Sequence, residues 1–339
     1  MIQSTLKILR KGKRSTVYRM HTKKDGIKTP YLLKISKVEL ADNLVYEYLV
    51  GQYINTLCPY LPCFIQTHNM YRVDGPLKTL QTSLIPIEPK LLYGCKYANH
   101  LALINEYVPG ETLEYHLYQP NMPLQFIRHD LVLILFQVYV CLKYLKNKYT
   151  HYDLHLNNIM IVELDIPRQF EYKGYTPFIC KYLVKIIDYG RNYFKDSPDI
   201  YRSLCKIKEC EPDCGYTKGF SWLSNYNIGT RWFITSSRPN ISHDLRLAEG
   251  ISQIPHIDPV LKNILKTGFK YGSTSKTPLG TVEIVRSGLP YTINNIIDMA
   301  DTLARFIRTD SFQYNNRTYY PETYSIFHIP FNQPFYISL

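Results

Sequence analysis

The residues best suited to chemistry fall in one stretch, Thr150-His151-Tyr152-Asp153-Leu154-His155-Leu156-Asn157-Asn158-Ile159-Met160. A His two places before an Asp, and an Asn five places after it, match the phosphoryl-transfer pattern H-x-D-x-x-x-x-N. Chemistry of that kind requires three further groups. A Lys must lie on an early strand, a Glu on the helix that follows it, and a metal-binding Asp beyond the loop.

Each has a candidate. Tyr31-Leu32-Leu33-Lys34-Ile35 reads as a strand carrying one Lys, which either faces solvent at an edge or holds phosphates. Asp42 or Asn43 can cap a helix over residues 44–54, where Glu47 shares a face with Leu44, Tyr48 and Gly51. A carboxylate on an apolar face needs a cationic partner, and Lys34 lies thirteen residues upstream. Glu39 competes for it but precedes the helix. Leu183-Val184-Lys185-Ile186-Ile187 then runs as a strand into Asp188-Tyr189-Gly190, thirty residues past Asn158. An Asp-x-Gly alone is usually a turn; its position after a strand and after the loop makes it specific.

The elements that must position these groups are legible in outline. Residues 6–20 alternate as two strands around Arg10-Lys11-Gly12-Lys13-Arg14, either an ordinary hairpin or a depleted phosphate-covering loop. Residues 62–74 and 101–108 read as further strands, separated by a polar insertion over 76–99. Pro109-Gly110 is strong turn punctuation and marks a boundary, with residues 1–108 and 109–339 as the two parts. A helix is expected from Glu111, and a long buried helix over residues 124 to about 149, which delivers the chain into the loop. Residues 164–181 read as a polar and aromatic insertion, residues 292–308 as an amphipathic helix, and residues 319–339 as an aromatic tail that covers a groove or docks a partner.

The 339 residues suffice for two lobes with real cores. The net charge of +12 fits a solvated basic surface or attraction to an acidic protein or an anionic nucleotide, and no basic run makes nucleic acid the favoured partner. The start Met1-Ile2-Gln3-Ser4 has no apolar leader, and the apolar run over 131–142 is too short for a bilayer. Eight Cys without a leader point to free thiols in a reducing, cytoplasmic compartment. Cys205, Cys210 and Cys214 cluster, but a zinc site takes four ligands.

Lys34, Glu47, His151, Asp153, Asn158 and Asp188 together occur in the order and on the elements found in protein kinases, and over about residues 6–250 the chain resembles that superfamily. More narrowly it resembles divergent kinases of large cytoplasmic DNA viruses of the iridovirus and mimivirus type. Pro62-Cys63-Phe64, the loop itself, Ile187-Asp188-Tyr189-Gly190-Arg191-Asn192-Tyr193-Phe194 and the segment from Cys210 to Leu223 carry this likeness. The resemblance implies an α+β, bilobal fold with a β-rich N-lobe and a mainly helical C-lobe. It implies an ATP- and Mg²⁺-dependent serine/threonine protein kinase acting on a protein substrate, an acidic, host or virion protein among the options. Asp153 would take or orient the proton of the attacking hydroxyl, Asn158 and Asp188 would be hard oxygen ligands for Mg²⁺, and Lys34 held by Glu47 would neutralise phosphate charge. Leu9, Gly12, Val17, Leu32, Glu106 and Val108 would line the ATP site, the last two in a hinge whose backbone reads an adenine edge. His151 would brace the loop, and Asp244 would hold it from a later helix.

The departures matter as much. Aligned on Val17, the usual three glycines of the loop fall on Arg10, Gly12 and Ser15. Tyr152 replaces the Arg that commonly pairs with a phosphorylated activation loop, so that switch is not expected here. His155 replaces a phosphate-binding Lys, as in haspin-like and small-molecule kinases, and supplies charge only when protonated. No Ala-Pro-Glu closes the region 191–241, whose Ser197, Ser203, Thr217, Ser221, Thr230 and Thr235 offer hydroxyls. A small-molecule kinase and a non-catalytic scaffold are therefore the competing readings.

Overall fold

The computed structural model describes residues 6–11, 15–24, 27–36, 44–74, 83–86, 101–195, 220–223, 231–234, 239–265, 293, 295–321 and 326–328. Gly12, Asp42, Asn43, Glu39 and the cluster of Cys205, Cys210 and Cys214 lie outside them. So do Ser197, Ser203, Thr217, Thr230 and Thr235 of the region 191–241, while Ser221 is described in its backbone.

Six strands build the first lobe. They are β1 (Lys7–Lys11), β2 (Ser15–Lys24), β3 (Ile27–Ser36), β4 (Thr67–Asp74), β5 (Ser83–Pro86) and β6 (Leu101–Glu106). They form one sheet in the order β1-β2-β3-β6-β4-β5, every pair antiparallel. Period-two alternation puts Met20, Leu33, Ile35, Val73, Ala102 and Ile104 in a small core on one face. The other face carries Lys34 and Leu103 toward α1 (Leu44–Asn55), which buries Val45, Tyr46, Val50 and Ile54.

The segment 62–66 is not the start of a strand, as expected, but a link between lobes. Phe64 bridges Ile186, and the Ile186 N–H donates to Cys63 O at 2.6 Å. Proline at position 62 has no N–H for a ladder, and the apolar residues after it find their burial against the second lobe instead. The insertion expected over 76–99 contributes β5, paired with β4.

In the second lobe the chain after Gly110 forms β7 (Glu111–Thr112) and only then α2 (Leu113–Leu117). The helix starts later than expected because Glu111 and Thr112 pair with Ile161 and Met160, and the Thr112 Oγ1 then caps the helix by accepting from Tyr115 N–H at 3.2 Å. Glycine is required at 110: a Cβ there would sit 2.0 Å from Ile161 O. The central pillar is α3 (Leu131–Tyr144), entered through a π-helical turn, Phe126–Asp130. It stops before the expected 149 because Tyr149–Thr150 is drawn off as β8, paired with β11 (Tyr193–Phe194). Every residue from Leu131 to Leu142 is buried, so the helix is apolar all round rather than on one stripe. Gln137 is its one buried amide, and it is matched: Nε2 donates to Tyr182 O at 2.9 Å and Oε1 accepts from Val184 N–H at 3.3 Å.

The expected insertion over 164–181 is instead a long hairpin. Strands β9 (Ile159–Glu171) and β10 (Phe178–Ile186) pair antiparallel around a turn in which Gly174 has φ 82°. Its aromatics have a purpose in packing, since Phe170 stacks on Phe178 and both are buried beside α3. Further on come the short hairpin of β12 (Phe220–Leu223) and β13 (Arg231–Ile234), and helices Arg246–Ser252 and Pro259–Ile264. The amphipathic helix runs Ile296–Ile307, capped by the Asn295 side chain, and a second helix, Asp310–Tyr319, follows that the sequence pattern did not announce. The tail adds β14 (Ile326–His328), parallel to β9. A six-stranded sheet with one helix, joined to a mainly helical second lobe, is the α+β, bilobal architecture expected. No helix among the described residues is long and apolar enough to cross a membrane.

The last helix is tied to the lobe by one buried amide. Asn316 donates to Ile179 O at 2.7 Å and accepts from Ile179 N–H at 3.0 Å, while the Tyr320 hydroxyl donates to Asp130 at 2.7 Å. Asn316→Ala strands both buried peptide groups of Ile179. It should lower unfolding free energy by about 2–3 kcal/mol in a denaturant titration.

Candidate active site

Two loops and two elements of the first lobe meet here. Lys34, on β3, is salt-bridged to Glu47 of α1 at 2.7 Å and to Asp188 at 3.3 Å. Glu47 is 4 % exposed, so this partner is what makes its buried charge tolerable. Val17 is the cross-strand partner of Lys34 and shares its face; Leu32 lies two residues before Lys34 on the same face. Leu9 stands apart: all five residues of β1 are exposed, and Leu9 falls in the bulge between Ile8 and Arg10.

The catalytic-type loop is held from behind. The Asp244 carboxylate, itself buried, accepts from His151 N–H at 2.8 Å and Tyr152 N–H at 2.9 Å. Burial pushes the Asp244 carboxyl up from its usual range, against the pull of His151 and those two donors. Tyr152 has φ 62°, a left-handed conformation that a bulky residue adopts only under constraint, and the Asp244 bonds are that constraint. Its ring is buried edge-on against His243 at 4.7 Å.

His151 is fixed in one tautomer. Its Nδ1 accepts from Asp153 N–H at 3.2 Å, which leaves the proton on Nε2, 3.0 Å from Ile187 O. It thereby joins the loop to the turn that carries Asp188. A second joint is Asn192, whose Nδ2 donates to His151 O at 2.6 Å while its Oδ1 accepts from the Tyr149 hydroxyl at 2.5 Å. Tyr46 of α1 donates its hydroxyl to Asn192 O, so the helix bearing Glu47 is coupled to the same turn.

Asn158 and Asp188 are joined through the backbone of Ile187. Asn158 Nδ2 donates to Asp153 O at 2.9 Å, which orients the amide, and Ile187 N–H donates to Asn158 O at 3.0 Å, which sets Asp188 beside it. Asp188 has φ 69° and a partly exposed carboxylate. Burial alone would raise its pKa, but Lys34, His151 and His155 outweigh it and hold it at about 2. An ionised carboxylate and an amide oxygen side by side fit a hard divalent cation such as Mg²⁺. Tyr189, next in the chain, is buried, and its hydroxyl accepts from Ile65 N–H at 2.9 Å and lies 2.9 Å from Ile65 O. The turn that carries Asp188 is thus pinned to the link between lobes.

Two basic residues that sequence reasoning did not single out flank Asp153. Arg246 Nη1 donates to Asp153 Oδ1 at 2.9 Å, and Arg191 Nε lies 3.7 Å from Oδ2. The available signals were position alone: Arg191 directly follows Asp188-Tyr189-Gly190, and Arg246 is two after Asp244. His155 Nε2 is 3.8 Å from Asp153 Oδ1, and its Nδ1 accepts from Asn157 N–H at 3.2 Å. Burial lowers the His155 pKa, with Asp153 pulling the other way and Arg246 adding to the depression, which favours the uncharged ring. The cation beside Asp153 is therefore arginine, not His155.

At the hinge, Glu106 turns its side chain away toward Lys185 at 2.9 Å and Gln66 N–H at 3.0 Å, while Gly110 N–H donates to Val108 O at 3.0 Å. Arg19 covers the Tyr107 ring at 4.4 Å.

No family model matches the chain, and no curated protein matches it. Among solved structures it is similar to the crystal structure of PF14_0431, kinase domain, at 17% identity and a TM-score of 0.37, over 57% of this chain and 53% of that one. The chain thus spans about half the length of that kinase domain. The chemistry has to be argued from the residues themselves.

The Lys34–Asp188 pair has a pH signature. A carboxyl held near 2 contributes stability that is fully present above its unfolded pKa of about 3.9 and fades as pH falls toward 2. Lys34→Met should raise the Asp188 pKa, seen by carboxyl-carbon NMR titration, and flatten the loss of stability in that acid window.

Proposed function

We propose that the chain is an ATP- and Mg²⁺-dependent phosphotransferase, a serine/threonine protein kinase with residues 1–108 as nucleotide-binding lobe and 109–339 as catalytic lobe. The observation that carries this reading is the convergence of Lys34, Glu47, Asp188, Asn158 and Asp153 through direct or single-bond links. A scaffold without catalysis would have no need of an ionised Asp beside an oriented Asn and a paired Lys.

In this reading Asp153 takes the proton of the substrate hydroxyl as its oxygen bonds to the γ-phosphorus, and the bond from that phosphorus to the β–γ bridging oxygen breaks to release ADP. Arg246 and Arg191 hold the Asp153 carboxylate in place. Lys34 neutralises phosphate charge, and His151 keeps the two loops in register. Mg²⁺, when bound by Asn158 and Asp188, would offset the charge on the phosphate oxygens.

A protein acceptor, and a source among large DNA viruses with action in host cytoplasm or virion, are supported by the motif likeness. The free, buried thiols of Cys58, Cys63, Cys141 and Cys180 suit a reducing compartment. The uncharged His155 leaves a small-molecule acceptor as the second reading.

Labelled ATP with a basic protein, a histone peptide and a panel of sugars, choline and aminoglycosides separates the acceptors. Asp153→Asn should lower transfer by about 10²–10⁴-fold at unchanged fold; equal label incorporation would remove the catalytic assignment. Asp188→Asn should abolish Mg²⁺-dependent transfer, and a fully active variant would remove the metal assignment.

A further inference from the structure

Buried polar groups in native proteins are almost always hydrogen-bonded, so an exception in a ligand-facing position asks for a ligand. Asn105 is such an exception. It is 4 % exposed, and its Oδ1 is enclosed without a hydrogen-bond partner. It sits on β6, one residue before Glu106 and the hinge. Alternation puts Leu101, Leu103 and Asn105 on one face of that strand. Leu103 is the cross-strand partner of Lys34, and Leu32 that of Asn105. Asn105 therefore shares the face of Lys34 and lies one strand-pair nearer the hinge.

A carboxamide offers one donor and one acceptor side by side. Adenine presents the matching pair on one edge, the N6 amino donor and the N7 acceptor, whereas guanine presents two acceptors there, O6 and N7. Half a turn of the amide sets donor and acceptor in the required order. The opposite side of adenine, N6 and N1, is left for the backbone of residues 106–108.

We propose that Asn105 reads the N6/N7 edge of adenine and makes the site selective for adenine nucleotides; this rests on the ATP reading above. The neighbouring Thr67, cross-strand partner of Asn105, supplies the contrasting possibility. It too is buried with an unpartnered Oγ1. Were that hydroxyl to donate to Asn105, no base would be read.

The test is equilibrium binding of ATP, 7-deaza-ATP and GTP, each with Mg²⁺, to the full chain and to Asn105→Leu. The wild type should favour ATP over both analogues by about 10- to 100-fold in Kd, since 7-deaza-ATP lacks the N7 acceptor and GTP the N6 donor. Asn105→Leu should still bind nucleotide, with the ATP to 7-deaza-ATP ratio reduced to about one. Equal wild-type affinity for ATP and 7-deaza-ATP overturns the inference and leaves the ATP reading standing; this comparison needs no variant to fold. An unchanged ratio in a folded Asn105→Leu overturns it also. A wild type that binds none of the three removes the ATP reading and the inference together.

Discussion

The buried carboxylate of Asp244 is the constraint on which the rest of the site depends. It holds two consecutive backbone N–H groups, those of His151 and Tyr152, and so keeps Tyr152 at a positive φ that its side chain would otherwise oppose. That bend sets the Asp153 carboxylate against Arg246 and lets the His151 ring reach Ile187. Asp244 comes from a 3-10 turn packed under α3, where the Tyr139 hydroxyl donates to its backbone oxygen at 3.2 Å. The helix α3, buried from Leu131 to Leu142, is therefore the foundation of this loop.

Around that foundation the charges are arranged in two groups. Lys34 answers both Glu47 and Asp188, and Arg246 with Arg191 answers Asp153. Each carboxylate is thereby paired and oriented in a place where an unpartnered charge would be costly. The coupling between groups runs through neutral bonds, from Tyr46 to Asn192 to His151, and from Asn158 to Ile187. Movement of α1 would be felt at the turn bearing Asp188 through two independent contacts, one ionic and one hydrogen-bonded.

The departures from the usual kinase loop have local physical accounts. Tyr152 is a buried ring packed on His243, and its φ of 62° is held by the two Asp244 bonds. His155 is uncharged and caps the short turn after it, and the positive charge beside Asp153 comes from Arg246, which is distant in sequence. Substitutions that read as losses along the chain are thus offset by residues contributed from other elements.

Periodicity and punctuation were enough to read β2, β3, β6, α1 and the α3 region, because each has a strong apolar repeat bounded by turn residues. They misjudged 62–66 and 164–181, since apolar and aromatic residues there are buried by contacts with β10 and α3 rather than by any local repeat. The identities of Lys34, Glu47, Asp153, Asn158 and Asp188, and the order in which they occur, are properties of the sequence by itself, as chemistry restricts which side chains can do each task. The partners of Asp153, the tautomer of His151, the left-handed turns at Tyr152 and Asp188, and the enclosed amide of Asn105 were decided only by tertiary structure. Each depends on atoms brought together from distant positions, such as Arg246 with Asp153 or Asp244 with Tyr152, and no local pattern records such a meeting.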